Sequence, residues 1–140
     1  MSATTVIRNA RLVNEGRIIE SDILLKAGRI EKISIDIEAP AGAEVVDANG
    51  RYLLPGMIDD QVHFREPGLT HKGNIYSEAK AAVAGGVTSF MEMPNTIPNA
   101  LTIDLLEDKY GIASQTSLAN YSFFMGTSNN NAEEVLKVNN

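Results

Sequence analysis

From Met57 onward the chain alternates apolar runs of strand type with amphipathic stretches of helix type, and few folds accept that order. Residues 57–64, 87–93 and 118–125 read as strands. Between the first two, residues 74–84 read as a helix, because Ile75, Ala79, Ala82 and Val83 recur at helical spacing. Asn74 can cap its start and Gly85-Gly86 can end it. A second helix spans residues 101–113, with Leu101, Leu105, Leu106 and Tyr110 on one side. A third covers residues 131–138, where Asn131 and Glu134 stand at capping-box spacing. Strands and helices in alternation imply parallel strands joined by crossover helices.

The count is three βα units. A closed (β/α)8 barrel needs eight units and about 250 residues. Three strands cannot close, and the last would present a bare edge. The pattern therefore predicts the first part of a longer barrel protein rather than a very small open fold.

Ahead of Met57 the punctuation is different. Residues 6–13, 23–26, 29–35, 45–47 and 52–54 are short strand-type runs. They are separated by Asn14-Glu15-Gly16, Ala27-Gly28, a loop over residues 38–43, and Asn49-Gly50. Asn-Gly between such runs is a tight-turn signal. This part predicts a small antiparallel sheet, and the division falls between residues 1–54 and 55–140.

Composition narrows the function. The chain of 140 residues is 44% apolar, enough for a core. A net charge of -6 without any Lys/Arg cluster argues against nucleic-acid binding. With no cysteine there is neither a disulfide nor a thiolate metal site. No apolar stretch approaches the roughly 20 residues of a membrane span, and the N-terminus lacks a signal-peptide core. The expectation is a cytoplasmic protein without nucleic-acid or membrane partners.

The residues with chemistry gather at strand ends. Asp59, Gln61, His63 and Arg65 alternate along the first strand of the second part, so an unbroken strand would turn them to one face. Imidazole is a good zinc ligand, and two at this spacing would make a preorganised pair, but only His63 is present. Taken alone, a histidine at a strand end is more often a hydrogen-bonded structural residue. Arg65 offers a planar fork suited to a carboxylate or phosphate, although an isolated arginine is usually a surface ion-pair partner. His71 and Lys72 lie in the following loop and read as solvent-exposed. The run Met91 to Pro98 falls at the end of the second parallel strand, the end where α/β folds bind ligands. There Asn95 brings an amide, or simply a turn. Gly85-Gly86 ends a helix rather than opening one, so it is no dinucleotide fingerprint.

Leu53-Leu54-Pro55-Gly56-Met57-Ile58-Asp59, Val62 to Lys72, Ala82 to Thr88 and Met93-Pro94-Asn95-Thr96 together resemble dihydroorotases of the amidohydrolase superfamily. The combination of His-Phe-Arg-Glu-Pro-Gly with Met-Pro-Asn-Thr is specific, and the match is dense over residues 50–98. The resemblance implies a zinc-dependent (β/α)8 barrel preceded by strands of a small β-sandwich. It also implies reversible conversion of dihydroorotate to N-carbamoyl-aspartate in pyrimidine synthesis. In the hydrolytic direction a metal-bound hydroxide attacks the ring amide, the metal lowering the water pKa and polarising the carbonyl. His63 matches the second histidine of the family's Asp-x-His-x-His motif. Arg65 and Asn95 match the residues that hold the substrate carboxylate. Gln61 occupies the first histidine's slot, and its neutral amide oxygen is a poorer zinc ligand, so one ion or two, an altered site or a lost one are all open. The family's remaining ligands and catalytic aspartate have no counterpart here, so no catalytic residue is assigned and these residues alone are expected to be inactive. The resemblance also implies a homo-oligomer or a partnership with aspartate transcarbamoylase. The alternatives are a non-catalytic dihydroorotase-like subunit, motivated by Gln61, and a hydrolase of allantoin or hydantoins; the motifs lean away from hydantoins and less firmly from allantoin.

Overall fold

The computed structural model describes residues 4–138. Two compact units, Met1–Pro55 and Gly56–Asn140, divide the chain.

The first unit is a five-stranded sheet of β1 (Thr4–Asn14), β2 (Arg17–Lys26), β3 (Arg29–Ser34), β4 (Glu44–Asp47) and β5 (Tyr52–Leu53). Two-residue turns join β1 to β2 and β2 to β3. Glu15, Gly16, Ala27 and Gly28 all take positive φ, the conformation such hairpins require. The expectation of an antiparallel sheet holds for these pairs and fails for the rest: β4 and β5 both run parallel to β1. Asn49-Gly50 does turn, but makes no hairpin. Ala48 N–H donates to Arg8 O and Gly50 N–H to Asn9 O, both at 2.8 Å, so the chain stays on the edge of β1. It steps around a bulge in β1 where Asn9 takes φ 55°. The buried Asp22 carboxylate satisfies that bulge, accepting the N–H of Asn9 at 3.0 Å and of Ile37 at 2.9 Å.

The second unit runs β6 (Met57–Val62), α1 (Ile75–Ala84), β7 (Val87–Glu92), α2 (Ile103–Thr116), β8 (Asn120–Phe123) and α3 (Ala132–Leu136). The strands are parallel in the order β6-β7-β8, as the alternation requires. Its core joins Phe64, Ile75, Ala79, Phe90, Ala100, Leu106, Ala113 and Phe123. At α1, Asn74 Oδ1 accepts Ser77 N–H at 2.8 Å and the Ser77 hydroxyl answers the Asn74 N–H, a reciprocal capping box. Helix α2 begins two residues later than the apolar spacing suggests, because Thr102 caps it. Leu101 is therefore outside the helix, and the buried face is Leu106, Lys109 and Ala113.

The capping box expected at α3 does not form. Asn131 makes no side-chain cap bond. Its amide instead donates to Leu101 O at 2.8 Å and Gly126 O at 2.9 Å, and its Oδ1 accepts from Ser128. Glu134 turns to another helix: its Oε2 accepts the Ile103 N–H at the start of α2. Buried polar groups take whichever partner satisfies them, and here the tertiary partners prevail over the local ones.

Candidate functional site

Strand β6 ends at Val62, and Met93 N–H donates to Val62 O at 3.0 Å, so the ends of β6 and β7 are stitched together. The pairing shifts register between Asp59 and Val62, and His63 lies just past the strand. The unbroken alternation expected from Asp59 to Arg65 is thus interrupted. Gln61 is exposed, and its N–H donates to Asp59 Oδ1 at 3.1 Å.

His63 and Asn95 meet. His63 Nδ1 lies 2.8 Å from Asn95 Oδ1. An amide oxygen only accepts, so Nδ1 is the donor in this bond, and in the neutral ring Nε2 is the nitrogen with the lone pair. Between His63 and Arg65, the Phe64 ring is buried with its centroid 4.5 Å from that of Phe90. That anchor ties the backbone between them to the core.

Arg65 takes φ 74°, a left-handed conformation that costs an ordinary residue about 1–2 kcal/mol. Its N–H donates to Glu92 Oε1 at 2.9 Å, and its carbonyl accepts Leu69 N–H at 3.0 Å. Among the described residues no carboxylate pairs with its guanidinium. The following loop is held down in turn. Glu66 Oε2 accepts the Ile75 N–H at the start of α1 at 2.8 Å. Pro67 O accepts Ile97 N–H at 3.1 Å. Gly68, at φ 82°, leaves no room for a side chain, since a Cβ there would collide with the Ile97 carbonyl. His71 and Lys72 are exposed, as the sequence suggests.

Beneath these loops lies a buried ion pair. Lys109 Nζ stands 3.0 Å from Glu92 Oε2, and both side chains are 1% exposed. Lys109 Nζ also donates to Met93 O at 3.1 Å and sits 4.9 Å from the Phe123 ring centroid. Burial pushes the Glu92 carboxyl up, against the pull of the Lys109 charge. Burial likewise lowers the Lys109 ammonium, against the pull of Glu92. Neither residue stands out in the sequence as a site residue. A Glu inside the apolar run of β7 and a Lys three residues after Leu106 on the apolar face of α2 were the available signals.

Chemically, the site presents one imidazole held through Nδ1, one amide and one guanidinium without a carboxylate partner among the described residues. His63 fits a metal donor, because its other ring nitrogen is held by a hydrogen bond, the usual arrangement for a ligating histidine. The set as a whole does not fit zinc, which takes three or four protein donors. Among the described residues no three His, Cys, Asp or Glu side chains converge.

Comparison with known proteins shows what the chain is similar to. The family model described as Dihydro-orotase-like matches residues 50–136. The dihydroorotase of Carboxydothermus hydrogenoformans is 44% identical over 104 residues, covering 72% of this chain and 24% of that protein. The L-hydantoinase of Paenarthrobacter aurescens is 31% identical over 134 residues, covering 95% of this chain and 29% of that protein. Among solved structures, the L-hydantoinase (dihydropyrimidinase) from Arthrobacter aurescens superposes with a TM-score of 0.91 at 31% identity, over 99% of this chain and 31% of that one. A D-hydantoinase gives 0.80 at 30% identity, over 96% and 30%. The chain thus spans about a quarter of the curated relatives' length. Its fold is an incomplete (β/α) barrel preceded by additional strands, the class that the strand-helix alternation predicts.

Proposed function

The chain belongs to the dihydroorotase-like family of cyclic amidohydrolases, and on that premise we propose that it forms part of a hydrolase that opens a cyclic amide bearing a carboxylate, as dihydroorotate does. The observation that carries this reading is the Arg65 guanidinium, without a carboxylate partner among the described residues, on a loop tied to the one carrying Asn95. A guanidinium fork and an amide together suit a carboxylate. In this reading Arg65 and Asn95 bind and orient the ring through its carboxylate. Asn95 also holds the His63 ring, so one residue links substrate binding to the imidazole. His63 contributes one metal donor, the rest coming from outside these residues, and Gln61 contributes none or a weak one. Residues 1–54 form part of a β-sandwich and residues 55–140 part of the barrel, in a cytoplasmic enzyme of small-molecule metabolism.

A second reading, a hydantoinase-type enzyme, is favoured by a specific observation. Solved structures that this fold resembles include an L-hydantoinase, with a TM-score of 0.91, and a D-hydantoinase, with 0.80. That likeness supports the hydantoinase alternative more directly than the fold supports dihydroorotate.

The full reading frame encoding this chain should be assayed against dihydroorotate, dihydrouracil, allantoin and hydantoins, and its metal content measured. Hydrolysis of dihydroorotate is expected, with its KM raised at least about tenfold in Arg65→Met by loss of a charge-assisted bond, and less metal bound in His63→Ala. Preference for rings without a carboxylate, unchanged in Arg65→Met, would establish the second reading instead.

A further inference from the structure

The geometry points to the buried Glu92–Lys109 pair as the positioning device for the carboxylate clamp, setting the backbone from which Arg65 and Asn95 reach their ligand. This rests on the carboxylate reading above.

Glu92 and Lys109 are each 1% exposed, and removing two charges from water is expensive. Well-packed apolar residues of similar volume commonly serve stability as well or better. What apolar residues could not do is supply the bonds these two make. Glu92 Oε1 accepts the N–H of Arg65, the residue held at φ 74°. Its other oxygen faces Lys109 Nζ at 3.0 Å. Lys109 in turn donates to the carbonyl of Met93, two residues before Asn95. One pair therefore grips the backbone at both halves of the clamp, and anchors them to α2, which carries Lys109. A left-handed arginine persists only where its surroundings over-determine it. Without the acceptor, Arg65 is free to relax toward ordinary φ, which re-aims its side chain.

The pair touches no substrate in this scheme. Its role is that of two positioning residues, and it predicts a loss selective for the carboxylate. The test compares two neutral double variants of the full-length protein. Glu92→Gln with Lys109→Met keeps an oxygen for the Arg65 N–H. Glu92→Met with Lys109→Met removes it. For dihydroorotate, KM is expected to rise about threefold in the first variant, which loses only the Lys109 bond to Met93 O, and about tenfold or more in the second, which loses the Arg65 bond as well. For dihydrouracil, the same ring without the carboxylate, both variants should match the parent. Should the methionine pair fold poorly, Glu92→Asp takes its place. It keeps the charges but draws the acceptor back by one methylene, and the same selective rise is expected.

Equal effects on both rings, or none on either, in folded variants would overturn the proposal. If Arg65→Met loses dihydroorotate selectively while the acceptor variants do not, the clamp stands and this inference alone fails. If Arg65→Met itself has no selective effect, the clamp reading fails and takes the inference with it.

Discussion

Arg65 and Gly68 both take positive φ, and only one of them is a glycine. At Gly68 the reason is steric as well as conformational, because the Ile97 carbonyl and Cβ occupy the space a side chain would need. Gly68→Ala is therefore expected to destabilise the full-length protein by roughly 1–3 kcal/mol through overpacking, read from the midpoint of denaturant unfolding. An unshifted midpoint would mean the loops part easily, and that their contact does not hold the site. At this scale the sequence reveals residue identity better than position. His63, Arg65 and Asn95 were legible as chemistry-bearing types. That His63 and Asn95 touch at 2.8 Å was not, because the contact joins positions 32 residues apart. Nor was the pairing of Glu92 with Lys109, since a glutamate in a strand reads as a solvated residue until the helix above it is in place.

Elements were found more reliably than their ends. Helix α1 matches its expected span because its cap is local: Asn74 and Ser77 satisfy each other three residues apart. Helix α2 departs from expectation because Thr102 rather than an apolar residue sets its start, and α3 because Asn131 and Glu134 are drawn to distant partners. Glu134 is the clearest case. The Lys137 ammonium and then the Ile103 N–H hold its carboxyl below the ordinary glutamate value. A depressed folded pKa means that the stabilisation is present above about 4.5, the ordinary glutamate value, and is lost as pH falls through the lower folded value. The Ile103 amide resonance is accordingly expected to titrate below pH 4.5, and in Glu134→Gln that inflection should vanish. Its survival in the variant would assign the titration to another group. In the first unit, Asn49-Gly50 shows the same lesson. A turn signal specifies a change of direction, but the bulge in β1 decides which strand the chain pairs with next.

For the molecule as a whole, the parallel sheet is unfinished among the described residues. Strands β6 and β8 each have a neighbour on one side only. Met57, Ile58, Leu118 and Leu136 are exposed, and so are Ile18, Ile30, Val45 and Val46 in the first unit. Open edges and contiguous apolar surface promote association. A polypeptide limited to these 140 residues is expected to elute as aggregate in size-exclusion chromatography and to melt without a cooperative transition by circular dichroism. A monomer with a sharp transition would show that the two units suffice by themselves. Among the described residues no helix is long and apolar enough to cross a membrane.

The alternation of strand and helix, the parallel sheet that follows from it and the residue types gathered at the strand ends are all written in the linear chain. These depend on local periodicity and on short spacings, which a linear reading contains. The mixed pairing of the first sheet, the interruption of the Asp59 to Arg65 row, the meeting of His63 with Asn95 and the ion pair beneath them arise from folding. Each of these depends on which distant group is available to satisfy a buried charge or backbone donor, and that availability exists only once the chain has folded.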